Sequence, residues 1–205
     1  AKVLHITRDP RDRYASVRKR HGRDVPRLGG ANGRWLFSMT KALDNRKRFP
    51  NQYKIIRFED LASDPERTMK DVCDFIGEEY TPEMLTMNGA SDHTSSGGNS
   101  SFGKIEPGKI SQKPIGRYRE VLSNIEIAYI QLIAGRFMKQ LGYQRDPVKL
   151  SVGEILKFYG QVLPSSLMRT FGWMLLNTLK IMRGEPLPRS RMLPENKQDI
   201  EGQYV

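Results

Sequence analysis

The chain has 205 residues, of which 34 are Lys or Arg and 23 are Asp or Glu, giving a net charge of +11. Hydrophobic residues make up 38%, enough for a core, which excludes wholesale disorder. One cysteine, Cys73, excludes an intramolecular disulfide framework and a multi-cysteine zinc cluster. His5, His21 and His93 lie far apart without metal-ligand spacing, and no apolar run approaches the roughly 18–20 residues of a membrane span. The charge is local: residues 1–50 hold fourteen basic and four acidic residues, 51–150 thirteen and fourteen, and 151–205 seven and five. A local basic cluster points to an anionic partner beside it.

The run Lys2-Val3-Leu4-His5-Ile6-Thr7 has strand length and β-branched character. Asp9 then offers a helix N-cap with Pro10 at the first helical position, where a missing N–H is harmless. This helix is expected to dissolve in the Gly-, Pro- and Arg-rich stretch 22–33. A second amphipathic helix is predicted over 33–48, with Trp35, Leu36, Met39 and Leu43 at helical spacing. A second strand follows at Tyr53-Lys54-Ile55-Ile56-Arg57-Phe58. Ser63-Asp64-Pro65-Glu66 reads as a helix start with capping-box chemistry, and Gly77 as its end. Residues 88–116 read as a long loop. Ser123 and Glu126 open another helix that stops at Gly142. Residues 151–183 are predicted to form two helices split at Pro164, and 184–205 a mobile tail. The expected organisation is a domain over 1–146, a helical appendage over 147–183 and the tail.

The segment Arg8-Asp9-Pro10-Arg11-Asp12-Arg13-Tyr14-Ala15-Ser16 places a guanidinium at a strand end, a helix N-terminus after it and a hydroxyl two turns on. Unpaired N–H groups and the positive end of a helix dipole favour phosphate, and Arg matches its oxygens. A solvated basic helix explains the same residues equally well. Gly98-Asn99-Ser100-Ser101-Phe102-Gly103-Lys104 satisfies G-x-x-x-x-G-K, but Ile105 stands where Mg²⁺ ligation needs Ser or Thr. It reads as a loop.

The strand followed by Arg-x-Pro, with Ser eight residues after the Arg, resembles the 3′-phosphate-binding segment of sulfotransferases that use PAPS (3′-phosphoadenosine 5′-phosphosulfate). Three further stretches resemble the family in the same order: Tyr53 through Leu61 with Asp64-Pro65; Phe75-Ile76-Gly77; and Ile115-Gly116-Arg117-Tyr118-Arg119 with the helix ending at Gly142-Tyr143. The resemblance covers residues 2–143. It implies an α/β fold, a P-loop-like parallel sheet flanked by helices, incomplete at its N-terminus. It also implies PAPS as co-substrate, no metal, and transfer of a sulfuryl group to a hydroxyl or amine on a small-molecule or carbohydrate acceptor. Arg8 and Ser16 would bind the 3′-phosphate, Ser101 would lie near the nucleotide, and the late glycine loop would close over it. That loop reads Ser111-Gln112-Lys113-Pro114-Ile115-Gly116 where many relatives have Arg-Lys-Gly-x-x-Gly, so the contact is open between Lys113 and Arg117.

The family's phosphosulfate loop and general base have no counterpart here; both are expected upstream of Ala1, and the chain alone is expected to be inert. His5 reads as a packed strand residue, Glu59 and Asp60 as capping and ion-pairing groups, and Cys73 as a core thiol. Two rivals stand beside the resemblance: a polyanion or nucleic-acid binder using the basic first quarter, and another P-loop relative such as a kinase. The first is disfavoured by the lack of a nucleic-acid module, so no nucleic-acid partner is expected. Residues 167–183 form an apolar helix bounded by cations, suited to docking on its own domain or to peripheral membrane contact. The single cysteine fits a cytoplasmic location and is equally compatible with a secretory lumen.

Overall fold

The computed structural model describes residues 1–21, 26–86 and 110–185. Strand β1 (Val3–Thr7) leads through Arg8 and Asp9 into helix α1 (Pro10–His21), and a long helix α2 (Pro26–Arg48) carries the chain back to strand β2 (Tyr53–Arg57). The two strands pair in parallel, Val3 opposite Tyr53 and Thr7 opposite Arg57. Short helix α3 (Phe58–Ser63), helix α4 (Pro65–Ile76) and a 3-10 turn (Pro82–Leu85) follow. The last part holds one-turn helix α5 (Tyr118–Val121), α6 (Asn124–Gln140), α7 (Val152–Lys157), a π turn (Phe158–Val162) and α8 (Leu163–Met182). Among the described residues the fold is therefore mixed α/β: a small parallel sheet with helices around it.

Cap chemistry sets several boundaries. Asp9 Oδ1 accepts from Arg11 N at 2.8 Å and so starts α1. Ser123 and Glu126 close a full capping box at the head of α6, and Ser151 and Glu154 another at α7. At α4 the capping box expected from Ser63 and Glu66 does not form. Asp64 is the cap, accepting from Arg67 N at 3.1 Å, because its carboxylate already sits one residue before Pro65.

Two other expectations are corrected. α2 begins at Pro26, seven residues before the predicted start. Gly29 and Gly33, which read as helix breakers, are the places where α8 lies against α2. A Cβ on Gly29 would press into the carbonyl oxygen of Ser166, and one on Gly33 would sit 3.0 Å from that of Thr170. The close approach outweighs the low helix propensity of glycine. Nor does Pro164 split the last segment, since helical backbone runs without a break over 152–182. Proline falls in the first turn of α8, directly after the wider π turn, where its missing N–H is tolerated.

One core joins these elements. It holds Tyr14 from α1, Leu28, Trp35 and Met39 from α2, Tyr129, Ile130 and Met138 from α6, and Phe158 and Val162 from the π turn. Cys73 is buried on α4, its thiol 3.6 Å from Met84 Sδ.

Candidate functional site

The β1–α1 turn is built around charge turned inward. Arg11 is only 3% exposed. Its guanidinium grips Asp9 with two bonds, at 3.0 and 2.6 Å, and donates to Gln131 Oε1 and to the carbonyl of Gln144. It also lies 4.4 Å from the centre of the Tyr118 ring. Arg13 donates to the carbonyl of Ala31 at 2.8 Å; burial, reinforced by Arg34, pulls its pKa down to about 10. Arg18 pairs with Glu126. Three guanidinium groups of the basic first quarter thus serve the interior.

Arg8 is different. Its Nη2 donates to the carbonyl of Pro114, and its guanidinium lies 5.0 Å from the centre of the Phe58 ring. Trp35 Nε1 donates to the Arg8 carbonyl at 3.1 Å, fixing the backbone there. Arg8 Nε is buried with no hydrogen-bond partner among the described residues. A buried donor without an acceptor is uncommon and costs about 1–3 kcal/mol.

The late loop comes to the same place. Asp12, 1% exposed, accepts from Gly116 N at 2.7 Å and from Tyr118 N at 2.9 Å. Gly116 has φ 74, a left-handed conformation that a side chain would strain. Burial raises the Asp12 pKa, while the two N–H groups and the charge of Arg8 act against that rise. Sequence reasoning quoted Asp12 within the motif but gave it no role, since nothing local distinguishes it from an ordinary acidic residue in a first helical turn.

Of the five expected site residues, Arg8 and the turn 113–117 are therefore brought together. Lys113 is exposed and takes part in no ion pair among the described residues. Arg117 is half-buried with Nε 3.4 Å from Glu120. Ser16 is half-buried one turn beyond Asp12, on the same face of α1. Ser101 and the segment 98–104 lie outside the described residues.

A second set of contacts ties β2 to the turn. Glu59 accepts from Asp9 N and from the Tyr143 hydroxyl, each at 2.9 Å. Burial and then Glu59 push the Tyr143 hydroxyl far above its ordinary pKa. Asp60 pairs with Arg57, which holds its carboxyl below the usual range. His5 Nδ1 is 2.9 Å from the Tyr53 hydroxyl, and burial lowers the ring's pKa. Both acidic residues and the histidine are thus engaged with the protein itself.

A sulfotransferase family model matches residues 1–82. Carbohydrate sulfotransferase 2 of Mus musculus and of Homo sapiens are each 27% identical over 187 residues, covering 70% of this chain and 35% of the relative. The chain thus spans about a third of the length of the curated relatives it matches. No solved structure matches. The family model runs across the β1–α1 turn and both strands, so the chain is similar to sulfotransferases over this first part and, more weakly, to two carbohydrate sulfotransferases along most of its length.

Proposed function

We propose that this chain supplies the 3′-phosphate half of a PAPS site, on a P-loop-like parallel sheet, in an enzyme that moves a sulfuryl group to a hydroxyl or amine of a carbohydrate acceptor. PAPS brings the activated sulfuryl group, and adenosine 3′,5′-bisphosphate leaves. One observation carries the reading: Arg8 stands at the carboxyl end of β1, beside α1 and against the 113–117 turn, with its buried Nε unpaired. A phosphate oxygen would give that donor its missing acceptor, in the charge-assisted geometry Arg favours. Lys113 belongs to that turn, Ser16 follows Asp12 by one turn of α1 and would complete the set, and the positive end of the α1 dipole adds to the attraction. The names of the two relatives support a carbohydrate acceptor. The polyanion reading finds little support, because Arg11, Arg13 and Arg18 are spent inside the fold.

The chain's own groups bind and orient in this scheme. Arg8 holds the phosphate, and Asp12 positions the turn that carries Lys113. Calorimetry comparing adenosine 3′,5′-bisphosphate with 5′-AMP tests the assignment. The bisphosphate should bind more tightly, and Arg8→Ala should weaken it by about 10- to 100-fold, the worth of one charged hydrogen bond, while leaving 5′-AMP unchanged. Equal affinities for the two nucleotides in the unaltered chain would remove Arg8 from any 3′-phosphate site.

A further inference from the structure

Helical backbone runs unbroken over 152–182, about 46 Å at 1.5 Å per residue, and its polarity is inside out. The face against α2 buries Ser166, Thr170 and Asn177. Thr170 Oγ1 donates to the Gly29 carbonyl at 2.8 Å and meets the Tyr129 hydroxyl at 2.8 Å. Asn177 donates to the Trp173 carbonyl at 2.7 Å. The opposite face is apolar and open. Met168, Phe171, Leu175, Leu179 and Met182 follow one another at spacings of three or four, so they form one stripe. Met168 is 72% exposed and Met182 77%.

The π turn extends that stripe backwards. Phe158, Val162, Ser166 and Thr170 recur every four residues and are all buried. In a pure α-helix such a row would drift by about 40° per step, and the wider turn at Phe158–Val162 takes up the difference. With the inner row kept straight, exposed Val152 and Leu156 fall on the same outer side as Met168 and Leu175.

Charge decides what covers this face. Residues 155–184 contain Lys157, Arg169, Lys180 and Arg183 and no carboxylate. Arg169, Lys180 and Arg183 fall in a row beside the stripe, about 100° around the helix from it. Glu154 is held in the Ser151 capping box. Beyond Glu154 at its start the helix carries no acid, so a second copy laid on this face would offer Arg169 and Arg183 no carboxylate of this helix. A surface that is apolar within and anionic at its rim answers both features. No helix among the described residues is long and apolar enough to cross a membrane, so such a contact lies in the plane of the interface.

We propose that the outer face of 152–182 docks on an anionic lipid bilayer, with the Met168–Met182 stripe in the acyl boundary and Arg169, Lys180 and Arg183 among the headgroups. The test is flotation of the 205-residue chain with phosphatidylcholine vesicles, with and without about 30% phosphatidylserine. The chain should float with the anionic vesicles at least about tenfold better than with the neutral ones, and less well as salt rises from about 50 to about 500 mM. The double variant Met168→Glu, Leu175→Glu should lose flotation with its melting temperature unchanged, because both side chains face solvent. Lys180→Gln with Arg183→Gln should weaken it. Recovery in the unbound fraction at low salt overturns the proposal. So does flotation that survives the glutamate variant, which would trace binding to general basicity. A dimer that the glutamate variant dissolves and anionic vesicles leave intact would assign the face to a second copy instead, and overturns it equally.

Discussion

The β1–α1 turn and the outer face of the last helix break the usual partition of residues in opposite ways. At the turn, Arg11 and Asp9 lie in the interior, yet Arg11 meets an acceptor in nearly every direction it can donate: Asp9, Gln131, the carbonyl of Gln144 and the face of Tyr118. On the outer helix, methionines, leucines and a phenylalanine stand in water with nothing of the described chain over them. Buried charge is tolerated when the protein supplies the whole set of partners, and removing one member is then costly. Exposed apolar surface makes no such internal demand. Whatever covers it comes from outside the described fold, which does not depend on it.

The contrast breaks first at Arg11. Arg11→Ala leaves the Asp9 carboxylate buried without its cation and should cost about 3–5 kcal/mol in denaturant unfolding; a loss below about 1 kcal/mol would mean that the interior charge is solvated after all. Next comes the seam between α2 and α8. Gly29→Ala forces a methyl group onto the Ser166 backbone and should destabilise by about 1–3 kcal/mol. Gly30→Ala, with open space around it, should instead stabilise by up to about 1 kcal/mol. Equal effects from the two would deny the close approach. The smallest effect is expected at Asp146. Burial pushes this carboxyl up, but hydrogen bonds from the Tyr118 hydroxyl at 2.6 Å and from Arg119 at 2.9 Å outweigh burial and hold its pKa below the ordinary value. Its stabilising effect is therefore complete above the unfolded pKa of about 3.9 and fades as pH falls through the lower folded value. Asp146→Asn should lower stability near neutrality by about 1 kcal/mol, the worth of a charged hydrogen bond discounted for exposure. The gap to the parent chain should close on acidification, and a gap constant with pH would separate the loss from the carboxylate.

Local chemistry explains which parts of this fold were legible in the sequence. Asp9-Pro10 and the Ser123 and Glu126 pair act within one helical turn, so their boundaries could be read directly. Arg8 could be picked out because its strand, turn and helix are contiguous. The start of α2 could not, because Gly29 and Gly33 look like breakers until α8, more than 130 residues later, is laid against them. The inward turn of Arg11 and Arg18 was hidden for the same reason, since Gln131 and Glu126 lie 120 and 108 residues away. A basic cluster that reads as one phosphate-facing edge is thus divided: Arg8 stands beside the late loop, while its neighbours hold the scaffold. The polarity of the last helix was half legible. Its cations and apolar residues were visible, but which face turned inward depended on the glycines of α2.

The bonds from Asp12 to the backbone of Gly116 and Tyr118 join residues 104 and 106 apart in the chain. Contacts of such separation bear a large loop-closure entropy and slow the approach to the native state. A bound anion touching both Arg8 and Lys113 would act as a clasp on that long loop. Because such a ligand is held only by the closed form, every tenfold excess over its dissociation constant would deepen the folded state by about 1.4 kcal/mol.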